Sequence, residues 1–145
     1  MLYTPLTKTA MRYCYECHHG QVDKTGLPYV LHPVHLAEQM ETEAETCAAL
    51  LHDVMEDCGK TEADIAALGM PEEVLEALRL LTHAENVPYM EYVRAIKSNE
   101  IAKRVKLADL AHNSDLTRLD EVAETDLARV RKYEQARAIL LEDEA

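Results

Sequence analysis

The sequence contains no tryptophan and no phenylalanine. Large hydrocarbon rings therefore cannot fill the interior, and Leu, Ala, Val, Ile, Met and Tyr must pack it. Glycine and proline are scarce, at 4 and 5 residues in 145. Strands and hairpins need frequent turn punctuation, so this scarcity argues against a β-rich fold and for helices. Positive charge is also in deficit: 15 Lys and Arg against 27 Asp and Glu give a formal net charge of −12. So acidic a surface repels phosphate backbones, which excludes a general role in nucleic-acid binding. No run of 18 apolar residues occurs, and the opening MLYTPLTKTAMRY lacks the apolar stretch of a secretory leader. Neither a membrane span nor a leader is expected. The expected compartment is the cytoplasm, where the four cysteines stay reduced.

What is present suffices for one domain over residues 1–145. Hydrophobic residues make up 48% of the chain, enough for a core without disulfides or a structural metal. The sequence predicts a helix over Thr7 to His19, stopped by Gly20, then a loop from Gln21 to His32. Pro33 suits the first position of a helix to Thr42, which leaves His32 in extended backbone just before it. One helix is expected from Ala44 to Asp57, and Thr61 is placed to cap a short one to Ala67. Pro71 and Pro88 open helices reaching Thr82 and Lys97, and Asn99 caps a long one through Asn113. Asp126 to Glu142 predicts a final amphipathic helix, with Leu127, Val130, Tyr133 or Glu134, Arg137 and Leu141 at helical spacings; the acidic tail LEDEA is expected to fray.

Two apolar helices carry ionisable groups where none is needed for packing. The first reads Ala48-Ala49-Leu50-Leu51-His52-Asp53-Val54-Met55-Glu56-Asp57. On a continuous helix His52 and Glu56, and likewise Asp53 and Asp57, lie one turn apart. Burying two acids and an imidazole without a counter-charge is costly, and a divalent cation resolves that cost. A polar helix end facing solvent explains the segment equally well. The second, Val105-Lys106-Leu107-Ala108-Asp109-Leu110-Ala111-His112-Asn113, has an acid of poor helix propensity in its middle. Either metal ligation or a salt bridge accounts for Asp109. His32, His52, Asp53 and Asp109 offer two imidazoles and two carboxylates, a mixed donor set that suits Mn²⁺ or Fe²⁺ and tolerates Zn²⁺. Anionic substrates need local cations in so acidic a chain. Arg94, Lys97, Lys103, Arg104 and Lys106 supply a run of them, which is also what a solvated helix face looks like.

His19-Gly20-Gln21, Lys24-Thr25-Gly26-Leu27-Pro28-Tyr29-Val30-Leu31-His32-Pro33, LLHDVMED and KLADLAHN follow in that order. Together they resemble the hydrolase domain of the RelA/SpoT family, shared by the small alarmone hydrolases and the metazoan SpoT homologues. The resemblance runs from about residue 10 to 119, roughly three quarters of the chain. It implies an all-α HD-domain bundle of about eight to nine helices, one Mn²⁺, and removal of the 3′-pyrophosphate from (p)ppGpp to give GDP or GTP. By position, His32, His52, Asp53 and Asp109 match the metal ligands, and Glu56 and Asp57 the acidic pair that handles the attacking water. Lys24 and Asn113 match positions that contact nucleotide, and Lys106 joins them as a basic side chain placed for an anionic substrate. The long members' synthetase domain has no counterpart, so hydrolysis alone is implied.

Two positions depart from the family. Asp23 stands where a second basic residue usually helps hold the guanine, and Leu110 where Arg or Lys often follows the metal-binding aspartate. Base recognition is therefore altered, and Asp23→Arg is expected to lower KM for ppGpp. Two other readings remain: an HD hydrolase of another nucleotide or phosphorylated metabolite, and a non-catalytic nucleotide-binding module, against which Glu56 and Asp57 argue. Cys14-Tyr15-Glu16-Cys17-His18 fits a haem-attachment pattern but reads more simply as the amphipathic helix before the His-Gly-Gln loop. Cys47 and Cys58 read as small core or surface residues, and His35 and His83 as satisfied polar groups. His112 either supports Asp109 from behind or packs. Neither a nucleic-acid nor a membrane partner is expected, and oligomeric state is open.

Overall fold

The computed structural model describes residues 1–142. Among them the chain forms nine α-helical segments, one 3₁₀ turn and no strand: α1 Pro5–His18, α2 Leu31–Glu38, α3 Glu43–Leu51, α4 Val54–Asp57, α5 Glu62–Ala66, α6 Glu72–Leu81, α7 Tyr89–Ile96, α8 Glu100–Asn113, the 3₁₀ turn Leu116–Arg118, and α9 Glu124–Leu141. The all-α expectation holds. No helix among the described residues is long and apolar enough to cross a membrane.

Side-chain oxygens start several of these helices. Thr4, Thr42, Thr61 and Asn99 accept from the backbone N–H three residues on, satisfying donors that have no partner inside the helix. Gly20, at φ +83°, turns the chain out of α1 in the left-handed region that a side chain would strain.

The middle of the bundle is α3. Thr46 through Leu51 are all fully buried, and the helix packs against α1, α2, α6 and α8. A helix apolar on every side belongs in a core. Its alanines let the surrounding helices approach closely, and Leu36 of α2, Leu78 of α6 and Leu110 of α8 belong to the same core. This places the C-terminal end of α3 in the interior, where His52 and Asp53 follow.

Three expectations need correction. His32 is not in extended backbone: α2 begins at Leu31, so His32 and Pro33 lie in its first turn. Proline is tolerated there because N–H groups of the first turn have no intrahelical acceptor to lose. The helix predicted over residues 44–57 is broken. Asp53 sits at φ −106°, ψ −2°, separating α3 from the single turn of α4. The last helix buries Ala136 and Leu140, with Tyr133 and Ile139 half-buried, whereas Leu127 and Leu141 are exposed. Its contacts are with α7 and α8, so the stripe lies one residue away from the spacing read at Leu141. The fraying expected of the acidic tail falls largely on residues 143–145, outside the described residues.

Docking of α9 is testable through Leu140. Leu140→Ala is expected to lower unfolding free energy by about 2–5 kcal/mol in urea titration, as for other fully buried leucines. An unchanged midpoint would mean that α9 does not pack on the domain in solution.

Candidate metal centre

Three pieces of chain meet at one buried point. The first turn of α2 brings His32, the break between α3 and α4 brings His52 and Asp53, and the middle of α8 brings Asp109. One donor atom from each of His32, His52 and Asp109 lies within 4.8 Å of the others. Asp53 joins them: its Oδ2 is 2.9 Å from His52 Nε2 and 3.9 Å from His32 Nε2. Asp109 Oδ1 is 2.9 Å from His32 Nε2 and 3.6 Å from His52 Nε2. The four residues singled out from the sequence are thus together.

The cluster fits a cation. His52 Nδ1 is 2.7 Å from the Ala49 carbonyl oxygen, which can only accept, so Nδ1 carries a proton. In the neutral ring Nε2 then presents a lone pair to the oxygens of Asp53 and Asp109. That arrangement is repulsive unless a proton or a metal ion lies between, and His52 Nε2 is buried with no well-formed hydrogen bond. Burial alone would push His52 down, but the Asp53 and Asp109 carboxylates outweigh it and hold the imidazole well above its ordinary value. Burial raises Asp109, and Lys106 with the two imidazoles overcomes it, leaving the carboxyl well below the usual range. Asp53 is lowered too, its burial outweighed by His52. Two imidazole and two carboxylate donors form a set suited to a divalent transition metal.

Neighbouring side chains hold the donors in place. Lys106 Nζ is 3.0 Å from Asp109 Oδ2, and Asn113 Nδ2 donates to Asp109 Oδ1 at 3.0 Å. Lys106 is buried against the rings of Tyr89 and Tyr92; burial would lower its pKa, and Asp109 raises it instead. His112 supports His32, not Asp109: their rings stack at 8° and their Nδ1 atoms are 2.7 Å apart. His35 lies against the far side of His112. Burial, then Arg118 and the other imidazoles, pushes His112 down to about 4. Tyr29 donates to Asp53 Oδ2 at 2.5 Å, and its own ionisation is pushed far up by burial and by that carboxylate.

The acidic pair divides. Glu56 lines a cleft with His52, Asp53, Asp109, Lys106, His83 and Tyr92. Its Oε1 accepts from the His83 backbone N–H, and burial raises its pKa despite that bond. Asp57 falls on the other side, near Tyr29 and His18, raised by partial desolvation and then by Asp53. Lys24 and Asn113 line a second cavity with Arg118 and Arg129. The basic run does not converge: Arg94 and Arg104 are exposed, Arg104 pairs with Glu41 and Glu45, and of the run only Lys106 reaches the cluster.

Asp23 is not a free carboxylate facing an incoming base. It accepts from Thr25 N, Thr25 Oγ1 and Leu27 N, closing the loop of residues 23–27, and its Oδ2 is 3.2 Å from Arg118 Nη2. Asp23→Arg would therefore undo a turn, so the expected fall in KM does not follow. The cysteine pattern is absorbed by packing. Cys14 is in the core, its thiol pushed up to about 12 by burial, and His18 Nδ1 is 2.8 Å from Gln21 Oε1. His83 is satisfied by the Val87 carbonyl oxygen, as expected. Tyr29, Arg118 and Arg129 were not singled out as site residues. Only the Pro-Tyr pair, four residues before Pro33, gave a signal for Tyr29.

A family model for the HD domain matches residues 10–141. The chain belongs to the HD domain family. The bifunctional (p)ppGpp synthase/hydrolase SpoT of Escherichia coli (strain K12) is 33% identical over 68% of this chain and 16% of that protein. The GTP pyrophosphokinase of Myxococcus xanthus is 30% identical over 86% of this chain and 18% of that protein. A guanosine-3′,5′-bis(diphosphate) 3′-pyrophosphohydrolase of Vibrio cholerae is 46% identical over 56 residues, 36% of this chain and 8% of that protein. The chain thus spans less than a fifth of each of these relatives. Among solved structures, a metazoan SpoT orthologue described as hydrolysing ppGpp matches all of this chain and 90% of its own, at a TM-score of 0.76 and 23% identity. That likeness shows the HD fold. HD-domain hydrolases depend on a divalent metal, and the His/Asp cluster supplies donors for one.

The raised pKa of His52 makes metal binding a proton exchange in this HD domain. An imidazole held well above its ordinary value keeps its proton at pH 7 and must lose it before Nε2 can bind a cation. Mn²⁺ binding at pH 7 is expected to release about one proton per ion, and apparent affinity should rise with pH. Calorimetric titration in buffers of different ionisation enthalpy measures this. Heats that do not change with buffer would contradict it.

Proposed function

We propose that this HD domain is a metal-dependent phosphohydrolase that removes the 3′-pyrophosphate of (p)ppGpp, giving GDP or GTP and pyrophosphate. The observation that carries the reading is the cluster of two imidazoles and two carboxylates, flanked on one side by Glu56 and on the other by a cavity holding Lys24 and Asn113. His32, His52, Asp53 and Asp109 are the metal ligands, and Mn²⁺ is the ion proposed. Bound there, a divalent ion would polarise a phosphoryl oxygen and make water acidic enough to attack near neutral pH.

The chain's own residues do the rest. Glu56 is the better placed of the acidic pair to take the proton of the attacking water, because it lines the cleft beside Asp53 and Asp109. Burial raises its pKa towards the working pH, where a general base is most effective. Asp57 passes the proton outward, since it is exposed and close to Asp53. Lys106 places an ammonium beside the ligand carboxylates, where it balances the charge of the pyrophosphate as water attacks its inner phosphorus and the ribose 3′-oxygen leaves with a proton. Lys24 and Asn113 hold the nucleoside end, and Asn113, bonded to Asp109, ties that cavity to the cluster.

In a second reading the substrate is another nucleotide or phosphorylated metabolite; it rests on the absence at Asp23 of the base-holding cation usual in the RelA/SpoT family, the carboxylate there being taken up by its own loop and Arg118. A hydrolysis screen of ppGpp, deoxynucleoside triphosphates and NADPH with added Mn²⁺ separates the two. Turnover of ppGpp is expected. Glu56→Gln should keep Mn²⁺ yet lose about 10²-fold or more in kcat, the scale of a general acid–base group. Clear activity on another nucleotide with none on ppGpp would select the second reading, and a Glu56→Gln enzyme at wild-type rate would remove Glu56 from the mechanism.

A further inference from the structure

The two ligand carboxylates are held very differently. Asp109 is clamped within its own helix, by Lys106 one turn before it and Asn113 one turn after. Asp53 has no such support. It stands at the break between α3 and α4, outside regular helical backbone, and its side-chain oxygens face the imidazoles of His52 and His32. Among the described residues, the one well-formed hydrogen bond to its carboxylate comes from the Tyr29 hydroxyl, at 2.5 Å. A charge-assisted O–H···O⁻ bond is stronger than a neutral one and directional.

Tyr29 is itself fixed. Its backbone N–H donates to the Gln21 carbonyl oxygen at 2.9 Å, closing the base of a loop in which Val22 bridges to Pro28. Its ring lies between His18, at 4.9 Å, and His32, at 5.7 Å. His18 is buried and anchored through Gln21. The hydroxyl is thus aimed at Asp53 by a loop that contributes no donor of its own to the cluster.

We infer that Tyr29 is a positioning residue for the metal centre: its hydroxyl fixes the orientation of the Asp53 carboxylate and so sets the centre's affinity for a divalent ion. The role rests on the cluster being a metal centre. Partners of this kind are worth about 10–100-fold in metal affinity.

Tyr29→Phe keeps the ring and its packing and removes only the oxygen. Binding of Mn²⁺ alone to metal-free full-length protein, followed by calorimetry or by the Mn²⁺ resonance signal, reads the effect without any substrate. Tyr29→Phe should weaken Mn²⁺ binding about 10–100-fold with helical content unchanged. Tyr15→Phe, at an exposed ring far from the carboxylates, should bind as wild type does. Equal affinities for wild type and Tyr29→Phe overturn the positioning role alone. A wild-type chain that binds no Mn²⁺ overturns the metal centre and this role with it. Weakening by Tyr15→Phe to the same extent would show a general packing effect and also overturn the role.

Discussion

Two carboxylates buried beside two imidazoles must be balanced by positive charge, and the arrangement of α2, α3 and α8 follows from that requirement. Removing a carboxylate from water costs several kcal/mol per ion even after relaxation. Without a metal, Asp53 and Asp109 bring two negative charges, and Lys106 and the proton that His52 retains bring two positive ones, so the sum is zero. A divalent ion in place of the His52 proton changes the sum to −2 + 1 + 2, or +1. The ion and Lys106 would then concentrate positive charge there, only partly offset by Glu56 in the same cleft, inside a chain whose formal net charge is −12. Electrostatic attraction of a polyphosphate to so acidic a protein has to come from such a place, because the surface as a whole repels it.

The backbone yields where the cluster needs it. A helix running unbroken from Glu43 to Asp57 would place Glu56 one turn beyond His52 and Asp57 one turn beyond Asp53. The break at Asp53 instead sends Glu56 into the cleft beside Lys106 and Asp57 towards Tyr29 and His18. Aspartate is a poor helix former, so the proposed ligand is also a residue that helps interrupt the helix. The same economy appears at Pro33, which sits in the first turn of α2 directly after the proposed ligand His32 and spoils no hydrogen bond there.

The parts legible in the sequence are those that local chemistry dictates. Caps at Thr61 and Asn99, the stop at Gly20 and the unexplained polar groups in two apolar helices each have a cause within a few residues. What was missed depends on residues far apart in sequence. Tyr29 meets Asp53 across 24 residues, and Arg118 meets Asp23 across 95. No spacing rule connects them, and the Arg118 partnership turns Asp23 from a departure in base recognition into a loop-closing group. The basic run from Arg94 to Lys106 misled for the opposite reason. Close in sequence, its members spread around α7 and α8, and helical periodicity sends Arg94 and Arg104 to solvent and leaves Lys97 and Lys103 half-exposed.

Asp109 links the two halves of the site. Lys106 at i−3 and Asn113 at i+4 lie on its stripe of α8, so the helix period alone delivers a cation to one carboxylate oxygen and an amide to the other. Lys106 faces the cleft with Glu56, Tyr89 and Tyr92, whereas Asn113 faces the cavity with Lys24, Arg118 and Arg129. A substrate carrying a pyrophosphate on a nucleoside has a reactive end and a recognition end that must be held a fixed distance apart. With one rigid helix supplying both contacts through a single aspartate, that distance is set by backbone geometry rather than by loop conformation. Recognition can then change around Asp23 and Arg118 without moving the groups proposed for the chemistry.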